Sequence, residues 1–219
     1  MKRIDSRPVS LCLLFIVLLS AAAGFASRHR SNQHQQGQPG VFDYYLLTLS
    51  WSPEFCHGHP QKAECQSGHF GFVVHGLWPQ YVNGGYPESC STQPGLADAS
   101  TMTDIMPDPT LVAHEWSVHG TCSGLAADAY FKLIRQAFSS VKIPQRFSAP
   151  SETFSLPPQQ IKQAFTDANP QLKAEDLTVS CGNNYLTAFS VCLTKDLQPT
   201  ACQALPDCRA NTVKVPPVQ

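Results

Sequence analysis

Residues 72–79 read Phe-Val-Val-His-Gly-Leu-Trp-Pro, and residues 114–122 read His-Glu-Trp-Ser-Val-His-Gly-Thr-Cys. Both stretches combine histidine with aromatic residues, and the second ends in a cysteine. Histidine is the side chain whose ordinary pKa lets it both give and take a proton near neutral pH. We therefore expect His75 and His119 to act as an acid–base pair that faces across a cleft.

The chain around the first stretch is predicted to form strands. Residues 42–51 are apolar on both alternating faces, which is typical of a central strand. Residues 70–75 form a second buried strand that Gly76 and Pro79 end. This pattern predicts His75 at a strand end.

The second stretch lies on a helix that is predicted to begin at Asp108-Pro109 and to stop at Gly120. Further helices are expected over residues 128–138 and after Pro157, and strands over residues 177–180, 185–193 and 212–215. Strands and helices are mixed without regular βαβ alternation. The pattern favours an α+β fold in a single domain, with a central antiparallel sheet flanked by helices.

The first 26 residues have the pattern of a secretory signal peptide. A basic start precedes an apolar run over residues 11–23, and small residues mark a cleavage site near Ala26. The apolar run is too short to span a bilayer, so we expect no membrane anchor. Residues 27–40 are polar and predicted to be a flexible linker, which leaves residues 41–219 as the folded domain.

Cysteine usage agrees with export to the periplasm or the cell exterior. Nine cysteines are present, and one leaves with the signal peptide. An even number in an exported chain predicts four disulfides, although spacing alone leaves roughly a hundred pairings open. Zinc is the weaker alternative because the sequence contains no Cys-x-x-Cys pair. The remaining eight are Cys56, Cys65, Cys90, Cys122, Cys181, Cys192, Cys202 and Cys208.

The charge of the chain excludes a strongly basic nucleic-acid-binding surface. The formal net charge is −1, and it becomes −3 when residues 1–26 are removed. All eight histidines lie in the remainder, so full protonation would bring the charge to about +5. Such a chain attracts phosphate more strongly as the pH falls.

The helical stretch places a carboxylate near its second histidine. Glu115 and His119 are four residues apart and share one helix face, where the carboxylate can orient the imidazole and raise its pKa. His114 flanks this pair from another side. A solvated helix face is the simpler interpretation of these residues taken alone. The His-Glu-x-x-x-His spacing is one residue too long for the zinc-protease motif, so a zinc-dependent hydrolase is only an alternative.

Together the two stretches closely resemble the paired active-site motifs of the ribonuclease T2 family of secreted endoribonucleases. Residues 49–53 with Cys56 are similar to the first strand of that family, and residues 181–216 to its last strands. The resemblance implies a metal-independent and cofactor-independent monomer. Such an enzyme cleaves single-stranded RNA to a 2′,3′-cyclic phosphate and then to a 3′-phosphate, and it leaves DNA intact because DNA lacks the 2′-hydroxyl.

The resemblance also implies roles for individual residues. His119 would be the base and His75 the acid, Glu115 would support His119 and the transition state, and His114 would bind phosphate. Bases would stack on aromatic side chains near the first motif; the candidates are Trp78, Tyr81 and Tyr86. The disulfides implied by the family are Cys56–Cys65, Cys90–Cys122, Cys181–Cys208 and Cys192–Cys202.

One position departs from the family pattern. Val118 stands where the family usually has lysine, whose charge would stabilise the pentacovalent intermediate. Loss of one such contact typically lowers the rate by about 10²–10³-fold. The departure leaves open a slower enzyme, a substitute cation such as His114, or an inactive T2-like RNA-binding protein.

Overall fold

The computed structural model describes residues 35–218. The strands are β1 Gln35–Gln36, β2 Tyr44–Trp51, β3 Phe72–Gln80, β4 Pro87–Glu88, β5 Phe154–Leu156, β6 Leu177–Gly182, β7 Tyr185–Leu193 and β8 Val213–Val215. The helices are α1 Ser52–Gly58, α2 Ala63–Ser67, α3 Pro109–Val118, α4 Ala127–Ser139, α5 Gln145–Ser148 and α6 Pro158–Ala168. Short 3₁₀ turns occupy Ala99–Met102, Gly120–Ser123 and Ala174–Asp176.

The main sheet has the order β3-β2-β7-β8-β5, and β6 pairs with β7. Its pairs are antiparallel except for a single parallel pairing between Tyr185 of β7 and Lys214 of β8. The prediction of an α+β fold with a central, largely antiparallel sheet is confirmed.

One face of this sheet carries the hydrophobic core. Successive strand residues point to opposite faces, and on this face the side chains are large and apolar. They pack against the apolar sides of α3, α4 and α6, which are amphipathic or buried. The buried members include Leu47, Leu49, Trp51, Val74, Leu77, Val179, Phe189 and Val191 from the strands and Trp116, Tyr130, Phe131, Ile134, Ile161 and Phe165 from the helices.

Helix α3 begins as the sequence predicts. The Asp108 carboxylate accepts a hydrogen bond from the backbone N–H of Thr110 at 2.8 Å, and Pro109 occupies the first turn. The α-helix ends at Val118, slightly before the predicted stop, because the chain tightens there into a 3₁₀ turn. This change of helix type places His119 at the junction between the two.

The four disulfides have the pairing that the family resemblance implies. Their Cα–Cα separations lie between 4.9 and 5.5 Å, within the ordinary range. Cys90–Cys122 joins the loop after β4 to the end of the second motif. Cys181–Cys208 and Cys192–Cys202 tie the segment after β7 back to the sheet.

The prediction of a flexible linker over residues 27–40 is wrong for its last six residues. Gln35–Gln36 pair with Pro87–Glu88, and the Gly40 N–H donates a hydrogen bond to the Cys122 carbonyl at 2.9 Å. Backbone hydrogen bonds hold this polar segment on the domain without apolar side chains. The predicted signal peptide and the start of the linker lie outside the described residues. Among the helices at 35–218, none has both the length and the apolar character needed to cross a bilayer.

Candidate active site

His75 lies inside β3 and not at a strand end, which corrects the prediction. Thr48 of β2 pairs with Gly76 and Leu49 pairs with Val74, so His75 is the extra residue of a β-bulge. The strand continues through Pro79 to Gln80 because β3 is the edge strand of the sheet, where proline is tolerated.

The ring of His75 is held from two sides. Its Nδ1 forms a hydrogen bond with the Ser50 hydroxyl at 2.9 Å, and its Nε2 lies 3.6 Å from Glu115 Oε1. The side chain is 40% exposed, so it remains accessible to a substrate. Burial of the ring, and then the nearby charge of His114, lower the pKa of His75 below its ordinary value.

Glu115 is almost completely buried, with 1% of its side chain exposed. The Trp78 indole N–H donates a hydrogen bond to Oε2 at 2.6 Å. Burial raises the pKa of Glu115 to about 8, although the hydrogen bond from Trp78 opposes the shift. The carboxyl group is therefore largely protonated at pH 7.

The position of Glu115 adds two contacts to its expected role. Helical spacing predicted that this carboxylate orients His119 and raises its pKa. In the structure the carboxyl group reaches across to β3, where it meets Trp78 and His75. His119 is the C-terminal cap of α3, and its backbone N–H still donates a helical hydrogen bond to the Glu115 carbonyl at 3.0 Å.

Gly76 makes this close approach possible. A Cβ atom at position 76 would overlap both Glu115 Oε2 and Trp78 Nε1. The glycine of the first motif is thus required by the contact between the strand and the helix, a role that the sequence analysis did not assign.

Trp78 lies against both histidines. Its ring centroid is 5.3 Å from that of His75 and 5.2 Å from that of His119. Tyr86 lies on His119 as well, with centroids 5.5 Å apart. His119 is buried, with 8% exposed. The structure therefore brings the two motif histidines together around one indole, as the acid–base prediction requires.

Of the other predicted site residues, His114 is exposed on α3 and acts on His75 through its charge. Val118 is half-buried, and its carbonyl accepts a hydrogen bond from the Ser89 N–H at 2.7 Å. Tyr81 packs against the main core. Strand alternation explains the position of Tyr81. Gln80 lines the same cavity as His75, so the next residue points to the opposite face. Trp78 and Tyr86 line that cavity, whereas Tyr81 does not, and base binding stays a prediction.

The face of the sheet that the helices leave open forms a cavity of about 700 Å³, which we call the trough. His75, Trp78 and Tyr86 line one end of it. The cationic groups among its lining residues are all imidazoles, His57 and His59 in addition to His75, with Glu54 as the carboxylate. Attraction of phosphate into the trough therefore depends on histidine protonation.

Within residues 35–218, histidine, cysteine and carboxylate side chains form no group of three or more that could hold a metal ion. Three residues that the sequence did not single out belong to this region: Ser50, which bonds to His75, and His57 and His59, which line the trough. Ser50 could have been found by strand alternation, since it shares the open face with Thr48. The histidines could not, because their approach depends on how α1 folds over the end of the sheet.

The sequence model of the Ribonuclease T2 family matches residues 42–202, which include both motifs. The chain belongs to the ribonuclease T2 family.

Among curated relatives, the chain is 41% identical over 114 residues to a ribonuclease of Aeromonas hydrophila, covering 52% of this chain and 53% of that protein. It is 32% identical over 193 residues to a probable ribonuclease of Haemophilus influenzae, covering 80% and 66% respectively. The chain thus spans less than two thirds of the length of either relative.

Solved structures agree on the fold. An RNase-related protein from Calystegia sepium superposes with a TM-score of 0.68 at 23% identity, covering 81% of this chain and 98% of that one. RNase NT, in complex with 5′-AMP, superposes with a TM-score of 0.61 at 22% identity, covering 80% and 98%. At these identities the likeness supports the architecture alone.

Proposed function

We propose that this protein is a metal-independent endoribonuclease that cleaves single-stranded RNA by acid–base catalysis. The observation that carries the proposal is the contact of one indole, Trp78, with both motif histidines. RNA supplies its own nucleophile, the 2′-hydroxyl, so the protein needs a base, an acid and stabilisation of charge on the phosphoryl oxygens.

In the first step, His119 takes the proton of the 2′-hydroxyl while the 2′-oxygen attacks phosphorus. His75 gives its proton to the departing 5′-oxygen, and a 2′,3′-cyclic phosphate forms. In the second step the roles reverse: His75 takes a proton from water, and His119 protonates the 2′-oxygen, which leaves a 3′-phosphate. The lowered pKa of His75 makes it a stronger acid and confines its protonated form to lower pH.

Glu115 acts as a hydrogen-bond donor in this proposal. With a pKa of about 8 it is protonated at the pH at which His75 is charged. Oε2 accepts from Trp78, so Oε1, which lies near His75, can present the proton to a phosphoryl oxygen. A neutral donor there supplies part of the stabilisation that a lysine at the position of Val118 would give, and His114 adds charge from the helix surface.

The trough supports a single-stranded substrate. Trp78 and Tyr86 offer rings for bases that are not stacked in a duplex. DNA lacks the nucleophile and should not be cleaved. We further propose that the protein is monomeric and is exported to the periplasm or the cell exterior after removal of residues 1–26. The four disulfides support an oxidising compartment.

Incubation of the purified protein with RNA, with and without excess chelator, tests the proposal. Cleavage that is unaffected by chelator and yields 2′,3′-cyclic phosphate ends is the expected result. Activity that chelator abolishes would instead support a zinc-dependent hydrolase. Binding of RNA without cleavage would support an inactive T2-like binding protein. That alternative is considered because Val118 stands where the family usually has lysine.

A further inference from the structure

The trough extends well beyond the two histidines. Two cross-strand rows of small residues run from β2 through β7 to β6. Thr48 pairs with Ser190, which pairs with Thr178; Ser50 pairs with Ala188, which pairs with Ser180. All six residues line the trough. His75 lies on β3, beside this floor, so the floor leads away from the candidate catalytic site across three strand spacings, or about 14 Å.

Two walls bound the floor. On one side, the Phe55 ring stacks on the His59 ring with centroids 4.4 Å apart, at the end of α1. On the other side Leu205 packs against a small buried cluster of Tyr44, Leu46 and Cys192. The trough is therefore a channel that extends from His75 on β3 to Thr178 and Ser180 on β6.

The wall that contains Leu205 is firmly anchored. Disulfides at Cys202 and Cys208 flank it, and Asp207 forms an ion pair with Lys162, whose side chain is only 9% exposed. The second carboxylate oxygen of Asp207 accepts a hydrogen bond from the Val179 N–H at 2.9 Å. A wall fixed in this way keeps the channel open for an incoming strand.

The far end of the floor offers polar groups that the protein itself does not use. Ser50 bonds to His75, and Thr48 bonds to Ser190. The hydroxyls of Thr178 and Ser180, by contrast, form no hydrogen bond with another residue in the part of the chain that the structure describes. Each can both donate to and accept from the edge of a base, and the Leu205 wall can cover the apolar face of that base.

We propose that this distal floor, formed by Thr178, Ser180 and Ala188, binds a further nucleotide of the RNA strand that is being cleaved, beyond the two that flank the scissile phosphate. The inference rests on the proposed function. Two observations identify the occupant as the RNA strand. The channel begins at His75, where the strand is cleaved, and the cationic groups that line it are imidazoles, which attract phosphate when protonated. The enzyme should therefore favour longer substrates over dinucleotides.

The test uses chimeric oligonucleotides in which a single ribose defines one cleavable bond and all other sugars are 2′-deoxy. A dinucleotide is compared with hexanucleotides extended on either the 5′ or the 3′ side. In the wild-type protein, one of the two extensions should raise kcat/KM at least about fivefold, the lower end of what one bound base contributes.

Ser180→Phe should remove that gain and leave the dinucleotide rate unchanged, since it fills the distal floor without entering the core. Ser155→Phe is the matched control, because Ser155 is an exposed residue on β5 away from the trough, and it should keep the gain. Equal kcat/KM for all lengths in the wild-type protein, or a gain that survives Ser180→Phe, would overturn the subsite. So would a parallel loss on all substrates in a folded Ser180→Phe protein.

If neither the dinucleotide nor any hexanucleotide is cleaved, the proposed function fails, and binding tests the subsite separately. Fluorescence anisotropy with an all-2′-deoxy hexanucleotide should then give a Kd that is higher for Ser180→Phe than for Ser155→Phe. Equal Kd values would overturn the inference.

Discussion

The two faces of the main sheet use the same strands for opposite purposes. On the covered face, β7 contributes Phe189 and Val191, both fully buried beneath the helices. On the open face, the same strand contributes Ala188 and Ser190, which form the floor of the trough. Strand alternation therefore separates the residues that stabilise the fold from those that are available for substrate, and each set should respond to mutation in its own way.

The largest effect should come from the two motif histidines. His75→Ala and His119→Ala each remove one half of the proton relay, and each should lower RNA cleavage by about 10²–10⁴-fold. Thermal unfolding should show both proteins folded, and it serves as the control, above all for His119, which is buried. Retention of more than about a tenth of the wild-type rate by either variant, well above the level expected without an acid–base group, would refute the assignment.

Substitutions on the covered face should lower the stability of the fold more than substitutions on the open face do. Phe189→Ala removes a fully buried ring and should reduce the free energy of unfolding by about 3–5 kcal/mol. Ser180→Ala, on the open face of the neighbouring strand, should change it by no more than about 0.5 kcal/mol. Chemical denaturation measures both values. Similar losses from the two substitutions would mean that the open face is also structural.

Substitution of Val118 tests whether the site gains activity from a cation at the position where the family has lysine. Val118→Lys places a cation next to His119, and kcat should rise, by up to about 10²-fold if the ammonium group reaches the phosphate. Val118→Met, which is long but uncharged, separates charge from size and should leave kcat near the wild-type value. A large loss of activity in a folded Val118→Lys protein would show that the site has repacked around valine.

Glu115 should leave a smaller signature in the pH dependence of stability. Its pKa in the folded protein is about 8, above the ordinary value of 4.5. Its stabilising contribution is therefore complete below pH 4.5 and is lost as the pH rises to 8. The Tm of the wild-type protein should fall over this range relative to that of Glu115→Gln, which cannot ionise. A constant difference between the two Tm values would show that burial does not shift this carboxyl group.

Features of the fold that depend on neighbouring residues in the chain could be predicted from the sequence, whereas features that depend on a partner strand could not. Period-two alternation in residues 42–51 and the cap at Asp108 each act locally, so the strand and the helix were predicted correctly. The disulfide pairing came from the family resemblance and not from spacing. His75 was misplaced because a bulge depends on the partner strand, whose pairing shifts between Thr48 and Leu49.

Longer-range contacts account for the remaining differences. The carboxyl group of Glu115 contacts Trp78 and His75 because β3 packs beside α3, an arrangement that helical spacing alone cannot reveal. In the sequence Tyr81 and Tyr86 are equal candidates because both are tyrosines in the same loop region, yet only Tyr86 lines the trough, whereas Tyr81 packs against the core. Aromatic composition identifies candidates for base binding, whereas the direction of the strand decides among them.

The dependence of kcat/KM on pH, measured from about pH 4 to 9 in excess chelator, tests the two-histidine account most directly. The account predicts a bell-shaped profile with an optimum below 7, because His75 must be protonated and its pKa lies below the ordinary 6.5. High salt should reduce the activity on the acid side by screening the imidazoles of the trough. A single plateau that rises to pH 9 would contradict the account.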